Sequence, residues 1–243
     1  MKKNFKYYQI LRDVGEIFEK NKIPIWLEDG TLLGAVRNGD ILPGDEKDID
    51  LGIFEPSIRK LKIKKKITKE FSKKGFTIIF FWDVINIIKG DIGVDLILLK
   101  RRDNNIFKFR ERSDGSKLKE PFRWLHKFSS IEYYGDYFSI RKIFSLKINL
   151  IKIISFIPKN FRKFIYNFFS SLSVDNMKPI IYSLEIPKEY ILKQNYLNYY
   201  GLEFRIPYDV ENYLKLNYGD WKTPIQRGEK WDWRDHGDWK KLK

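Results

Sequence analysis

Cysteine is absent from this chain of 243 residues, and histidine occurs only twice. Without cysteine there is no disulfide and no thiolate for zinc, so we expect neither a disulfide-stabilised fold nor a zinc site. No apolar run reaches the roughly 20 residues that a membrane-spanning helix requires. The N-terminal stretch is charged throughout, and we expect no signal peptide. A chain of this length can bury a sizeable core as one domain.

Acidic residues are in the minority, because 47 lysines and arginines face 32 aspartates and glutamates, for a formal net charge of +15. Such a charge favours anionic partners: a nucleotide-activated substrate, a phospholipid surface or nucleic acid. The sequence shows no helix-turn-helix, RNP-like or zinc-finger signature, so we expect no specific nucleic-acid binding.

Two aspartates at alternate positions, Asp48 and Asp50, open a predicted strand that runs to Phe54. Alternate residues of a strand point to the same side, so the two carboxylates should converge. Converging carboxylates repel each other and need a cation, and oxygen ligands without cysteine or histidine favour Mg²⁺ or Mn²⁺. Since such an ion completes its shell with water and substrate phosphate, the motif predicts metal-assisted phosphoryl chemistry.

A glycine and a hydroxyl residue, Gly30 and Thr31, precede this strand near the start of a predicted helix that ends at Arg37. Such a helix start offers N–H groups and a hydroxyl to an anion. A D-x-D motif alone is also typical of a solvated acidic turn. Glycine, hydroxyl and paired carboxylates nevertheless occur in the order that a nucleotidyltransferase-type site requires.

Several sequence blocks together resemble the LicD/fukutin family of phosphotransferases. They are WLEDGTLLGAVR (26–37), NGDILP (38–43), DIDLG (48–52), IPYDVENYL (206–214) and YGDWKTP (218–224). The family usually has Pro-Trp-Asp-x-Asp-x-Asp before its strand. This chain has Pro-Gly-Asp-Glu-Lys-Asp over 43–48, without the tryptophan and with one more residue. Either Asp45 or Glu46 therefore takes the place of the first family aspartate.

The resemblance implies an α+β fold: a small mixed β-sheet of the nucleotidyltransferase type, flanked by helices, with an added helical segment and a C-terminal tail. We expect one catalytic domain over 1–243. Its predicted parts are a core (1–110), a basic helical insertion (111–195) and a C-terminal block that completes the site (196–243). Hydrophobic periodicity predicts helices over 6–21, 31–37 and 55–74, and strands over 23–27, 48–54, 76–82, 84–89 and 93–100.

The resemblance further implies transfer of a phospho-alcohol, such as phosphocholine or a polyol phosphate, from a CDP-activated donor to a hydroxyl of a cell-surface glycan, with release of CMP. The implied metal ligands are Asp48, Asp50, Asp45 and Asp95. The implied phosphate contacts are Gly30, Thr31, Arg37 and Lys222. One alternative is a nucleotidyltransferase that releases pyrophosphate. Another is a non-catalytic basic module that binds a membrane surface or nucleic acid.

Two of these residues have competing interpretations. Asp95 lies within the apolar run GVDLILL, where an ionised carboxylate is costly unless it is paired or metal-bound. The resemblance makes it a metal ligand or the general base, whereas an edge-strand position would turn it to water. For Arg37, the alternative to a phosphate contact is a structural pair with Asp40 or Glu28.

The segment 145–174 is apolar and basic and contains no acidic residue. Pro158 divides it into two predicted helices, both too short to span a bilayer. The first interpretation is an amphipathic pair on anionic lipid, with Lys152, Lys159, Arg162 and Lys163 facing the lipid. This suits a lipid-linked acceptor and a cytoplasmic protein at the inner face of the membrane. The second interpretation is a helical hairpin of the core.

The C-terminal segment is rich in tryptophan. Trp221, Trp231 and Trp233 are candidates to contact the quaternary ammonium of choline through their ring faces. The alternative is that the tail packs onto the core.

Overall fold

The structure, a computed structural model, describes residues 5–102, 105–112, 120–132, 154–172, 180–193, 195–224 and 236–242. The helices are α1 (Phe5–Lys20), α2 (Asp29–Arg37), α3 (Glu55–Ile58), α4 (Leu61–Lys73), α5 (Glu120–Ser130), α6 (Lys159–Leu172), α7 (Lys188–Leu192) and α8 (Val210–Tyr218). The strands are β1 (Ile25–Leu27), β2 (Asp48–Phe54), β3 (Thr77–Phe80), β4 (Val84–Lys89), β5 (Ile92–Arg102), β6 (Asn105–Arg112), β7 (Ile180–Ile186), β8 (Asn195–Tyr199), β9 (Leu202–Ile206) and β10 (Lys240–Lys241).

A mixed sheet organises the molecule. Among the described residues it has eight strands, which run β1, β2, β5, β6, β7, β10 along one path, while the β3–β4 hairpin joins through β4 to β5. Strands β2 and β5 are parallel, and the other pairs are antiparallel. Strands β8 and β9 form a separate hairpin. The predicted α+β fold, with a mixed sheet flanked by helices, is confirmed.

The two parallel strands have one apolar and one partly polar face. The buried, alternating residues are Ile49, Leu51 and Ile53 on β2 and Val94, Leu96 and Leu98 on β5. They share one core with Leu11 and Phe18 of α1 and Phe71 of α4. Because side chains alternate along a strand, the aspartates of β2 and β5 are left on the opposite face.

The ring of Trp26 lies against β2 at Gly52, its partner in the β1–β2 register. A Cβ atom added at Gly52 would lie 2.1 Å from the indole nitrogen, so only glycine leaves room for the ring. The indole N–H donates to Glu28 Oε2 at 2.7 Å. The glycine of the DIDLG motif is therefore explained by the tryptophan of the WLED motif.

Two sequence predictions differ from the structure. The helix predicted over 55–74 is two helices, α3 and α4, because Lys60 adopts an extended conformation (φ −69°, ψ 130°) before α4 begins. Within the range predicted as a helical insertion, β7 is a strand of the central sheet, paired with β6. The helix predicted before Pro158 lies mostly outside the described residues.

Helix α5 borders the polar face of the sheet, and α6 packs on α5. A small second core consists of Ile79, Phe81, Val84 and Ile131, with Phe128 packed against it. Val84 lies two residues from Asn86, which pairs with Asp95, so this core is on the same face as the aspartates. Across the described ranges, no helix is both long and apolar enough to cross a membrane.

Candidate active site

A row of polar side chains crosses three neighbouring strands. Asp50 of β2 is in register with Asp95 of β5, and Asp95 is in register with Asn86 of β4. Directly opposed residues on neighbouring strands project from the same face. The Asn86 amide donates a hydrogen bond to Asp95 Oδ1, which holds that carboxylate in the row. Asp95 therefore lies beside Asp50, in the middle of the sheet rather than at an edge.

The loop before β2 brings a further carboxylate to this row. A Cβ atom added at Gly30 would lie 2.7 Å from Asp45 Oδ2 and 3.2 Å from Asp50 Oδ2. The Gly30 N–H itself donates to Asp50 Oδ2 at 3.0 Å. Asp45 and Asp50 thus converge at the start of α2, whereas Glu46 is exposed. Of the two alternatives for the third loop carboxylate, this geometry favours Asp45.

The electrostatics of the cluster disfavour ionisation. Burial, and then the charges of Asp29, Asp48 and Asp95, raise the pKa of Asp50 well above its usual range. Burial, and then the charge of Asp48, raise the pKa of Asp95 to about 6. The pKa of Asp45 is raised, first by burial, and the pKa of Asp48, at the exposed start of β2, is also raised, by partial desolvation and then by the charge of Asp29. The positive charge of the neighbouring protein residues is therefore too small to balance the carboxylates on this face.

A hard divalent cation fits this donor set. Within the part of the chain that the structure describes, no three Asp, Glu or His side chains form a group that could hold a metal ion by themselves. Mg²⁺ does not require such a cage, because it commonly binds one or two carboxylates and completes its shell with water and substrate phosphate. Asp48 and Asp50 are the residues that could hold it, with Asp45 or Asp95 adjacent.

Comparison with known proteins relates part of this chain to a family. Residues 22–86 match the model of the LicD/FKTN/FKRP nucleotidyltransferase domain. This stretch, 22–86, is therefore similar to that domain, and we call it the LicD domain for that similarity. The segment contains β1, α2, β2 and Asn86, and the predicted resemblance to the LicD/fukutin family is confirmed.

The individual relatives cover less of the chain. An uncharacterised protein of Rickettsia prowazekii is 34% identical over 142 residues, which are 55% of this chain and 51% of that protein. One of Rickettsia typhi is 32% identical over 56% of this chain and 43% of its own length. The chain thus spans about half the length of these curated relatives. The ribitol 5-phosphate transferase FKRP of Homo sapiens is 51% identical over 43 residues, 18% of this chain and 8% of that protein.

Among solved structures, the crystal structure of ANT(2")-Ia in complex with adenylyl-2"-tobramycin aligns with 69% of this chain and 98% of its own, at 12% identity. Its TM-score is 0.32, too low to carry an argument.

The predicted phosphate contacts of the LicD domain are engaged within the protein. The buried Thr31 hydroxyl accepts the Asp50 N–H at 2.8 Å and lies 3.2 Å from the Tyr7 hydroxyl. The N–H of Gly30 is directed to Asp50, as described above. Gly30 and Thr31 therefore fix the orientation of Asp50 and its strand, and the phosphate contact predicted for them stays a prediction.

Arg37 connects the LicD domain to the C-terminal block. One guanidinium nitrogen donates to the backbone carbonyl of Trp221 at 3.1 Å, and Nε donates to Asn38 Oδ1. Among the described residues, the suggested pairs with Asp40 and Glu28 do not occur, so this prediction is corrected. The exposed Lys222 forms an ion pair with Glu211 at 2.8 Å. Through Arg37, the WLEDGTLLGAVR motif is therefore in direct contact with the YGDWKTP motif, nearly 200 residues further along the chain.

The tryptophans divide into two groups. Trp221 is buried in the main core, which matches the packing alternative for the tail rather than an open ligand site. Trp231 and Trp233 lie outside the described residues, and their suggested contact with the alcohol stays a prediction.

Sequence reasoning missed a buried ionic network behind the carboxylate row. Lys108 is fully buried, and its ammonium donates to Glu28 Oε1 at 2.9 Å, to Asn217 Oδ1 at 2.8 Å and to Asp29. Tyr213 also donates to Glu28, at 2.6 Å. The network therefore connects the WLED motif to helix α8 of the C-terminal block.

Arg110 brings positive charge to the edge of this network. Its guanidinium lies 2.5 Å from Asp29 Oδ2. Although burial opposes ionisation of Asp29, Arg110 and Lys108 hold the pKa of that carboxyl below its usual range. The positive charge of Arg110 also acts on Asp50. The sequence contains a signal for both cations, since Lys108 and Arg110 alternate with aromatic residues in NIFKFRER, as Asp48 and Asp50 alternate with apolar residues in β2.

Gly30→Ala tests the convergence of Asp45 and Asp50. The new methyl group would push the Asp45 carboxylate aside, so we expect weaker Mg²⁺ binding by titration calorimetry. Stability should change little, because alanine favours a helix by about 0.5–1 kcal/mol over glycine. The matched control is Gly15→Ala in α1, where a Cβ atom meets nothing within 4 Å. Unchanged Mg²⁺ affinity in the folded Gly30→Ala protein would contradict the convergence.

Proposed function

We propose that the protein transfers a phospho-alcohol from a CDP-activated donor to a hydroxyl of a glycan, with release of CMP, in a reaction that requires Mg²⁺ or Mn²⁺. The coarser class, transfer of a phosphoryl-containing group, is supported by the LicD-family match and by the partial match to an enzyme named ribitol 5-phosphate transferase. The donor, the metal and the acceptor are the finer parts of the proposal.

One observation carries the proposal: Asp48, Asp50 and Asp95 share one face, and their pKa values are raised by burial and by neighbouring carboxylates. Carboxylates assembled at such a cost in folding free energy occur preferentially at functional sites. Asp48 and Asp50 would hold the metal ion. When bound, the ion would neutralise negative charge on the diphosphate of the donor.

Asp95 is suited to the proton transfer. With a pKa of about 6, it is mostly ionised at neutral pH and yet basic enough to accept a proton from the acceptor hydroxyl. Asn86 donates to Oδ1, so Oδ2 is the oxygen available to the substrate. The alternative role for Asp95 is that of a metal ligand, and the two roles differ in their effect on metal affinity.

We assign to Arg110 the role of binding the negatively charged phosphate groups of the substrate. It pairs with Asp29, acts on Asp50 and is 26% exposed at its side chain. A planar guanidinium can bind two phosphate oxygens at once. Arg110 is better placed for phosphate binding than Thr31, because the Thr31 hydroxyl is directed into the fold.

The test is a donor screen. Purified protein is incubated with CDP-choline, CDP-ribitol, CDP-glycerol or CDP-ethanolamine and candidate glycans, with Mg²⁺ or with EDTA, and CMP is measured. We expect Mg²⁺-dependent CMP production from one donor, dependent on a glycan. Pyrophosphate release from a nucleoside triphosphate, with no CMP from any CDP-alcohol, would instead support nucleotidyl transfer. No metal-dependent turnover of either kind would favour the non-catalytic alternative.

A further inference from the structure

Helix α6 has a row of aromatic side chains on its surface, which we call the phenylalanine stripe: Phe161, Phe164, Phe168 and Phe169. Successive stripe residues are three, four and one apart, and the rings of Phe161, Phe164 and Phe168 stack in sequence at 6.3 and 6.4 Å between centroids. The four side chains are 54%, 63%, 50% and 48% exposed. Contiguous aromatic surface of this kind is typical of an interaction site.

The opposite side of α6 is fixed to the protein. The buried Arg162 guanidinium donates to the backbone carbonyls of Ile157, Phe128 and Ile131 at 2.9, 2.6 and 2.8 Å. These bonds tie α6 to α5, and α5 packs through the second core onto the face of the sheet that bears Asp95. Arg162 is therefore a structural residue and does not face lipid, which corrects the sequence prediction. The stripe therefore lies on the outer side of a helix that is held, through α5, on the face of the sheet that bears Asp95.

The positive charge around the stripe favours a negatively charged partner. Lys163 is exposed between Phe161 and Phe164, and Lys159 pairs with Glu132 at the start of the helix. By sequence, 145–174 contains no acidic residue, and the whole chain carries +15. A second copy of the chain would bring the same net charge and be repelled. The interface of an anionic bilayer is both apolar and negative, and it complements the stripe in both respects.

We propose that the phenylalanine stripe docks on the surface of an anionic membrane, with its rings at the boundary between headgroups and acyl chains. Because α5 packs on the face that carries Asp50 and Asp95, and α6 packs on α5, docking through α6 turns this side of the protein towards the bilayer. A hydroxyl acceptor attached to a lipid would then be within reach. Only this last consequence rests on the proposed function, and membrane docking itself does not depend on it.

The first test is co-sedimentation with vesicles of phosphatidylcholine alone or mixed with phosphatidylglycerol. We expect binding to the mixed vesicles at low salt and release as salt rises, because lipid electrostatics are screened. The triple variant Phe161→Gln, Phe164→Gln, Phe169→Gln should bind at least tenfold more weakly. The control variant replaces other exposed apolar residues, Phe5→Gln, Leu61→Gln and Leu192→Gln, and should bind as the parent protein does. Equal binding of both triple variants would overturn the proposal.

The second test remains decisive if the stripe variant fails to fold. Because the sequence lacks cysteine, Phe164→Cys gives a single attachment point for a polarity-sensitive fluorophore. We expect its emission to shift to the blue with mixed vesicles, whereas the same label at Leu61→Cys on α4 should not respond. No shift at position 164 would overturn the proposal. A second result would also overturn it. If the protein self-associates without lipid and substitution of the stripe abolishes this self-association, then a second copy of the chain, and not a membrane, covers the stripe.

Discussion

Asp50→Asn should reduce turnover by about three orders of magnitude and, at the same time, raise the thermal stability of the metal-free protein. The loss of turnover corresponds to about 4 kcal/mol of transition-state stabilisation, which is the size expected when a metal ligand at a phosphate site is removed. The gain in stability follows because the native carboxylate is buried among Asp29, Asp48 and Asp95, whose charges oppose its own.

The amide introduced by Asp50→Asn is nearly isosteric with the carboxylate, and its oxygen could still accept the N–H of Gly30, so the fold should be retained. We expect the midpoint of metal-free unfolding to rise by a few degrees, since about 1 kcal/mol moves it by about 2–4 °C in a domain of 150–250 residues. Added Mg²⁺ should stabilise the parent protein and not the variant. A variant that is less stable than the parent without metal, or that retains near-normal turnover, would contradict a carboxylate site built for a cation.

Lys108→Met should cost about 3–5 kcal/mol in the free energy of unfolding, because it leaves Glu28 and Asp29 without their buried cation. The methionine fills a similar volume, so the loss reports unpaired charge rather than a cavity. Denaturant unfolding followed by circular dichroism measures it.

Lys222→Met is the matched control, since its pair with Glu211 has side chains that are 62% and 66% exposed. Exposed ion pairs contribute roughly 0–1 kcal/mol, so this variant should unfold almost as the parent does. An equally small loss in both variants would contradict a large contribution of the buried network around Lys108 to stability.

Much of the centre of the fold follows from sequence patterns. Alternation in DIDLGIF and GVDLILL predicts two strands with aspartates on one face, and the parallel register places Asp50 beside Asp95. These predictions succeed because the period of a strand dictates which side chains share a face. The helix break at Lys60 and the strand β7 were not predicted, since no glycine or proline marks the break and β7 acquires its role only by pairing with β6.

The partners of the polar residues could not be predicted in the same way. Among the described residues Arg37 pairs with neither Asp40 nor Glu28, and its guanidinium binds the carbonyl of Trp221. Thr31 was expected to face an anion, and its hydroxyl turns inward to β2. Both contacts depend on how distant segments meet, which periodicity does not encode. The buried Lys108 was missed for the same reason, because its partners come from the end of β1, from α2 and from α8.

The most direct test is anomalous diffraction from crystals of the protein soaked with Mn²⁺ and a CDP-alcohol. We predict an anomalous peak from a Mn²⁺ ion that lies about 2.1 Å from carboxylate oxygens of Asp48 and Asp50 and that also binds the donor diphosphate. Crystals of Asp50→Asn, treated identically, should lack the peak. An ion bound away from this face, or turnover under the same conditions with no ion at Asp48 and Asp50, would contradict metal-assisted phosphoryl transfer at this site.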